Sequence, residues 1–240
     1  MNAFLSNYNN EGYAIVKGLL PHDTIDAYTE FWLNHHSKDG NFIDRKGWNN
    51  SHSFVNYPEI RDVLCSKEIY NYLNLLNKDM TLALCFTTWI STRYAWHQDH
   101  LEPDKGAAKE RVGVWIALDD IHVDSGPFQF ISGSHNWDVD WEFVLDKNNP
   151  KNPSIYFSEM IDYKDSEIKS FTANKGDAIF WQGHTVHRGS VPNNESLLRK
   201  SLIAHYQVQT NNDVQKYKFG QYDNAYMVKN DLYGGRDLPN

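Results

Sequence analysis

The chain has few cysteines, no long apolar run and no excess of positive charge, and each absence excludes a class of protein. Its two cysteines, Cys65 and Cys85, lack the spacing of a paired metal or redox motif, so we expect buried thiols in a reducing compartment, the cytoplasm. No run of about 18 apolar residues is present, and the N-terminus lacks the basic and apolar regions of a signal peptide. The formal net charge of −8 argues against a nucleic-acid partner, which would need a basic face.

Aromatic residues are abundant, at 14% of the 240 residues, which favours a β-rich core or an aromatic-lined pocket. The length suits one domain spanning residues 1–240. Short runs of β-branched and aromatic residues, separated by Gly, Asn and Asp, predict strands near 10–20, 81–90, 111–118, 128–131, 170–172, 178–181 and 202–208. This pattern predicts a mainly β fold with flanking helices, a double-stranded β-helix of the jelly-roll or cupin-like barrel type.

Two segments before the first long strand predict helices. Apolar residues at helical spacing follow Asp23 and Thr24, either of which could be the N-cap, and a second helix is expected from about Pro58 to Asn77. Residues 38–57 are polar and loop-like, and the tail from Asn211 is expected to be irregular. The polar region 134–168 is expected to be an insertion, with a role as a lid over the barrel mouth.

The segment His97-Gln98-Asp99 is the first candidate for chemistry. A spacing of two places the side chains of His97 and Asp99 on the same side of an extended strand, while Gln98 points the other way. Two imidazoles and one carboxylate form the facial triad of non-heme Fe(II) oxygenases, which leaves positions open for a co-substrate and O2. The pair is common by chance, so a third ligand is needed before it indicates a metal.

A late strand, following the turn at Gly176-Asp177, ends near two histidines that could supply this third ligand. Spacing alone leaves His184 and His187 as alternatives. Arg199 stands at the head of the next apolar run, and an arginine that begins a buried strand needs an anionic partner. A carboxylate suits the planar fork of its guanidinium group.

These segments together resemble one known family, the phytanoyl-CoA dioxygenase family of Fe(II)/2-oxoglutarate-dependent oxygenases. The likeness extends over nearly every segment of the chain, and the motifs are specific only in combination. Its motifs are Glu11-Gly12-Tyr13 through Gly18-Leu19-Leu20, His97-Gln98-Asp99, residues 115–120, Ser125-Gly126-Pro127, Ser132-Gly133-Ser134-His135, Lys175-Gly176-Asp177, His187, Gly189-Ser190, Asn193 and Arg199. One departure is the residue Arg188, because the family usually has Gly directly after this histidine.

The resemblance implies a set of ligands and a reaction. It selects His187 over His184 and implies that His97, Asp99 and His187 hold Fe(II), while Arg199 pairs with the 5-carboxylate of 2-oxoglutarate. The implied reaction uses O2, converts 2-oxoglutarate to succinate and CO2, and hydroxylates a C–H bond of a small-molecule substrate. Further contacts to 2-oxoglutarate are implied for Gln98, Trp115 and Ser190. A carboxylate at position 99 disfavours halogenation, because related halogenases leave that position open for halide.

Two other classes of function remain as alternatives. The chain could be a non-catalytic jelly-roll binding module, since that fold is also used outside catalysis, or a cupin-type metal-dependent isomerase or hydrolase with an activated water. The cationic and aromatic residues expected near the cavity mouth suit an anionic or amphipathic substrate. The sequence predicts no membrane partner and does not determine the oligomeric state.

Overall fold

The computed structural model describes residues 1–38, 41–42, 53–55, 57–99, 111–145, 153–208, 216–218 and 226–228. The helices of this part are α1 (Asn2–Glu11), α2 (His22–His36), α3 (Pro58–Leu64), α4 (Lys67–Leu76), α5 (Trp141–Leu145) and α6 (Pro153–Tyr163). Its strands are β1 (Tyr13–Val16), β2 (Ser37–Lys38), β3 (Asn41–Phe42), β4 (Met80–Thr88), β5 (Arg111–Ala117), β6 (Phe128–Ile131), β7 (Ile168–Phe171), β8 (Ala178–Gln182), β9 (His187–Gly189), β10 (Ser201–Val208), β11 (Lys216–Lys218) and β12 (Tyr226–Val228).

The strands form a large and a small sheet, with β2 and β3 as a separate pair. The large sheet has the order β1-β8-β5-β10-β4-β12-β11, and the small sheet has the order β7-β6-β9. Neighbouring strands are antiparallel, except that β12 runs parallel to β4. Non-consecutive neighbours such as β5 and β10 show that the chain crosses repeatedly between sheets. This arrangement confirms the predicted mainly β, jelly-roll type of fold, although the sheets do not close into a barrel.

Strand alternation gives the large sheet two different faces. On one face, residues such as Val112, Val114 and Ile116 of β5 join the core that α1–α4 cover. On the other face, Trp115 packs with Phe128 and Phe130 of the small sheet. The second face therefore borders a space between the large and small sheets. Side chains from both sheets can project into this space.

The helices differ from prediction in two places. The structure has two helices where a single helix was expected over 58–77. Helix α3 ends at Leu64 with Cys65 as its C-cap, and Ser66 has extended backbone before α4 begins. Helix α1 was not predicted from the sequence, since it buries only Phe4 and Tyr8 and has no side-chain N-cap. Both differences arise where tertiary packing outweighs a weak local signal.

The described parts of 134–168 contain α5 and α6. Their buried residues Trp141, Phe157 and Ile161 form a separate apolar cluster with Trp96 and Val186. The role of this region as a lid, and the limits of a single domain, stay predictions. The predicted loop 38–57 falls largely outside the described residues, as does most of the tail, where β11 and β12 nonetheless extend the large sheet.

Two expectations from composition can be compared with the structure. Both cysteines are buried and unpaired, and burial raises the pKa of Cys65 to about 12 and that of Cys85 to about 11. In the part of the chain that the structure describes, none of the helices has the length and apolar character needed to cross a membrane.

Candidate active site

A cavity of about 480 Å³ lies between the large and small sheets. Its wall combines aliphatic and aromatic side chains with a few charged and hydrogen-bonding groups, which is the usual composition of a small-molecule site. The lining residues come mainly from β4, β5, β9 and β10 and from the segment before residue 99. They include Leu84, Phe86, Thr88, Tyr94, His97, Gln98, Asp99, Arg111, Trp115, Phe128, Trp181, His187, Arg199, Ile203 and His205.

His97, Asp99 and His187 lie together in the wall of this cavity. Each offers one ligand atom, and the three atoms lie within 4.8 Å of one another, so the group could hold a metal ion. The two histidines are brought together by a β-bridge, in which each backbone N–H donates to the other residue's carbonyl oxygen at 3.0 Å. A backbone link across 90 residues of sequence thus places both imidazoles on the same face.

The imidazole rings are held with Nε2 available. Nδ1 of His97 lies 2.7 Å from the carbonyl oxygen of Ala95, and Nδ1 of His187 lies 2.9 Å from that of Thr185. A carbonyl oxygen can only accept, so both Nδ1 atoms carry the proton. Burial and the nearby His97 ring lower the pKa of His187 to about 3, so this ring is neutral at neutral pH. A ring whose Nδ1–H is held by a carbonyl oxygen presents Nε2 to a metal.

Asp99 lies between the two imidazoles and the large sheet. Its Oδ1 is 3.7 Å from Nε2 of His97 and 3.6 Å from Nε2 of His187. Burial alone would raise the pKa of Asp99, but the neighbouring rings of His205, His187 and His97 hold it well below its usual range. The group is therefore an ionised carboxylate beside two imidazoles, which is the donor set of a divalent transition metal.

Arg199 lines the same cavity and is 1% exposed. Its guanidinium makes only long contacts, from Nη1 to Gly126 O at 3.4 Å and from Nη2 to Thr88 Oγ1 and Ile90 O at 3.3 and 3.4 Å. Among the described residues its buried Nε has no partner, and none of their carboxylates forms an ion pair with the guanidinium. Burial lowers the pKa of Arg199 to about 10, which leaves the group cationic at neutral pH. A buried cation with spare donors is a site prepared for an anion.

The other residues predicted to contact a co-substrate differ in position. Trp115 lines the cavity beside Arg199, and its buried indole N–H has no partner in the described part of the chain. Gln98 also lines the cavity, while its Nε2 donates to His184 O at 2.6 Å. Ser190 is absent from the lining, and its hydroxyl donates to Pro127 O at 2.7 Å. This geometry gives no support to a co-substrate contact by Ser190.

Three further cavity residues were missed or left as structural by sequence reasoning. Trp181 donates from Nε1 to Asp99 Oδ2 at 2.7 Å, and Nδ1 of His205 lies 3.6 Å from the same oxygen. Arg111 donates from Nη1 to the backbone oxygen of Asp99 at 2.7 Å. Strand alternation could have placed Trp181 and Arg111 on the cavity face, but it could not have named Asp99 as their partner.

One curated relative has a sequence similar to about half of the chain. It is the phytanoyl-CoA dioxygenase domain-containing protein 1 homolog of Caenorhabditis briggsae, 29% identical over 121 residues, which are 49% of this chain and 42% of the relative. The match to the corresponding Dictyostelium discoideum protein covers 33% of that protein at 29% identity. The chain therefore matches less than half of the length of these relatives.

Solved structures with a similar fold cover far more of the chain. The epimerase SnoN of nogalamycin biosynthesis, in complex with Fe3+, alpha ketoglutarate and nogalamycin RO, superposes with a TM-score of 0.67 at 16% identity, covering 95% of this chain and 97% of its own. The alpha ketoglutarate dependent carbocyclase SnoK from the same biosynthesis gives a TM-score of 0.65 at 17% identity, covering 86% of this chain and 83% of its own. At these identities the likeness shows a common fold.

The sequence model of one family covers most of the chain. The match extends over residues 8–200, from the last turn of α1 to the residue before β10. All three candidate metal ligands and Arg199 lie inside it. The chain belongs to the phytanoyl-CoA dioxygenase (PhyH) family.

Proposed function

We propose that this chain is an Fe(II)/2-oxoglutarate-dependent oxygenase that hydroxylates a C–H bond of a small-molecule substrate. The observation that carries the proposal is that one cavity holds two complementary groups. Its wall contains a cluster of two imidazoles and a carboxylate, and also a buried arginine without a carboxylate partner among the described residues. A dicarboxylate could chelate a metal held by the cluster through one end and pair with the arginine through the other. Such a molecule would satisfy both the metal and the buried cation.

The metal would be held by Nε2 of His97, Nε2 of His187 and Oδ1 of Asp99. This donor set fits Fe(II), and three protein ligands on one side leave positions for a chelating co-substrate and O2. When bound, iron with 2-oxoglutarate and O2 supplies the oxidation, with decarboxylation of the co-substrate to succinate and CO2. The protein's part is to fix the ligand atoms and exclude water, and the buried position of His187 serves both.

Arg199 would bind the 5-carboxylate of 2-oxoglutarate. Its present partners are neutral oxygens at 3.3–3.4 Å, which are longer than charge-assisted hydrogen bonds. A carboxylate would supply the missing counter-charge and could accept from two guanidinium nitrogens. The free indole N–H of Trp115, whose ring lies 5.7 Å from the guanidinium carbon, is placed for a second hydrogen bond, and Gln98 is kept as a weaker candidate.

The substrate would share this cavity with the co-substrate. A cavity of about 480 Å³ suits a small molecule, and the apolar side chains of Leu84, Phe86 and Ile203 favour an amphipathic one. An anionic group on the substrate, a location in the cytoplasm and the absence of a nucleic-acid partner stay predictions. SnoN is an epimerase and SnoK is a carbocyclase, so epimerisation and ring closure are tested beside hydroxylation.

The test is an anaerobic titration of the metal-free protein with Fe(II) and 2-oxoglutarate, followed by an assay for succinate. We expect a weak visible charge-transfer band and, in air with Fe(II), succinate formation. The variant His187→Ala should lose both, since it removes a proposed ligand. The matched control His184→Ala should keep both, because position 184 contributes its backbone carbonyl to Gln98 and its side chain does not line the cavity.

Other results would support other functions. Absence of the band in the wild-type protein would favour the binding module, and turnover with Zn2+ without 2-oxoglutarate would favour the isomerase or hydrolase. Once a compound that stimulates succinate formation is found, the product mass distinguishes the outcomes. Hydroxylation adds one oxygen atom, epimerisation leaves the composition unchanged, and ring closure removes two hydrogen atoms.

A further inference from the structure

The two carboxylate oxygens of Asp99 have different surroundings. Oδ1 faces Nε2 of both histidines at 3.6–3.7 Å and is the atom placed to bind a metal. Oδ2 accepts a hydrogen bond from Nε1 of Trp181 at 2.7 Å, and the ring of His205 lies next to it at 3.6 Å. One oxygen is therefore directed to the candidate metal position, and the other is directed to the large sheet.

Trp181 reaches Asp99 only because of a glycine in the neighbouring strand. In the large sheet, Gly113 of β5 pairs with Trp181 of β8 on one side and with His205 of β10 on the other. A Cβ atom added at Gly113 would lie 2.0 Å from the indole of Trp181, which is far inside van der Waals contact. The indole thus crosses β5 over Gly113, and any larger residue there would displace it.

A glycine at this point is otherwise unfavourable. Gly113 lies inside a seven-residue strand between Val112 and Val114, where a glycine weakens the strand and has no side chain to pack. Its backbone is not among those with positive φ, so the turn chemistry that usually requires glycine does not apply. Close approach of the Trp181 ring is the remaining physical reason for a glycine here.

We propose that Trp181 is a positioning residue, which holds Asp99 as a one-oxygen metal ligand, and that Gly113 makes this possible. The inference rests on the metal site of the proposed function. A hydrogen bond to Oδ2 engages the lone pairs with which that oxygen would otherwise chelate the metal. Asp99 then occupies one coordination position, and positions stay open for a bidentate co-substrate and O2.

A purely structural role for Trp181 makes a different prediction. The indole contacts the rings of Phe128 and His187 at centroid distances of 4.9 and 5.1 Å, so it also contributes to the core. Phenylalanine would keep most of that packing and lose only the N–H donor. If packing were the whole role, Trp181→Phe would lower stability without changing how the protein binds a metal.

The experiment measures metal affinity and the visible spectrum of the Co(II)-loaded protein for wild type, Trp181→Phe and Trp32→Phe. Trp32 is a matched control, because it is equally buried but lies in the core on the opposite face of the large sheet. We expect Trp181→Phe to bind Co(II) at least about 10-fold more weakly, with altered d–d bands, since outer hydrogen-bond partners typically contribute 10–100-fold. Trp32→Phe should keep the wild-type affinity and spectrum.

A second variant keeps the inference testable if Trp181→Phe does not fold. Gly113→Ala retains the Trp181 N–H donor but displaces the indole, so it should change the Co(II) spectrum in the same direction. Wild-type affinity and spectrum in Trp181→Phe, or in Gly113→Ala should the former not fold, would overturn the inference. Failure of the wild-type protein to bind Co(II) or Fe(II) would instead overturn the proposed function, which separates the two.

Discussion

Two arginines on the cavity face of the large sheet have opposite surroundings. Arg111 opens β5 and donates to Asp99 O at 2.7 Å and to Gln207 Oε1 at 3.1 Å. Arg199 lies two residues before Ser201, where β10 begins, and its contacts to neutral oxygens are 3.3–3.4 Å long, with Nε unpartnered among the described residues. Both line the cavity, yet only Arg111 has short hydrogen bonds from both terminal nitrogens.

This is the difference expected between a structural arginine and the arginine proposed to bind a co-substrate. Arg111 ties the backbone of Asp99 to the end of β10 and needs no ligand for its hydrogen bonding. Arg199 is fully buried, burial lowers its pKa to about 10, and its partners among the described residues are neutral oxygens. A buried charge without a counter-charge destabilises the folded protein unless a ligand supplies the missing anion.

The largest expected effect is on co-substrate binding at Arg199. Truncating one partner of a buried charge pair costs about 2–5 kcal/mol, so Arg199→Met should weaken 2-oxoglutarate binding by at least about 30-fold. Arg199→Lys should retain only part of the wild-type affinity for 2-oxoglutarate, because lysine keeps the charge but loses the planar fork. Anaerobic calorimetry on the Fe(II) protein measures both. Unchanged affinity in Arg199→Met would remove the proposed role of this arginine.

A smaller effect, on stability, is expected at Arg111. Arg111→Met removes two hydrogen bonds, one of them to the backbone of a proposed metal ligand, and should lower the free energy of unfolding by about 1.5–3 kcal/mol. Urea denaturation of the metal-free protein measures this change. If Arg111→Met weakened 2-oxoglutarate binding as strongly as Arg199→Met, the two arginines would not differ in the way described.

The smallest expected effect is on stability at Arg199, and its sign is opposite to that of the effect at Arg111. Since Arg199 is a buried cation without an anionic partner in the described part of the protein, Arg199→Met should leave the stability of the empty protein unchanged or raise it by about 1 kcal/mol. Thermal denaturation without metal or co-substrate measures this. A loss as large as that in Arg111→Met would mean that Arg199 is mainly structural.

The strands were predicted well because their signal is local. Phe128–Ile131 matches β6 in full, and the runs near 81–90, 111–118 and 202–208 match β4, β5 and β10 to within a few residues. Alternating or continuous runs of β-branched and aromatic residues suit strands with one or two buried faces. Helix α1 and the break at Cys65 were missed, because a short helix with two buried residues has little local signal.

The candidate site was predicted unevenly. The spacing of His97 and Asp99 indicated a shared face, whereas only the resemblance chose His187 over His184. The rule that an arginine at the head of a buried strand needs an anion applies as well to Arg111 as to Arg199. In the fold, Arg111 is satisfied by a backbone carbonyl and an amide, which no sequence pattern reveals.

The sequence by itself determined the strand pattern, the family and a short set of candidate ligands, because periodicity and motif spacing are properties of neighbouring residues. Only the tertiary structure decided which groups share one cavity and which hydrogen bonds each retains. The two oxygens of Asp99 acquire different partners because β5 pairs with both β8 and β10. The residues of these two strands lie about 70–90 positions after their partners in β5. Such partners are set by packing and strand register, and these depend on the whole fold.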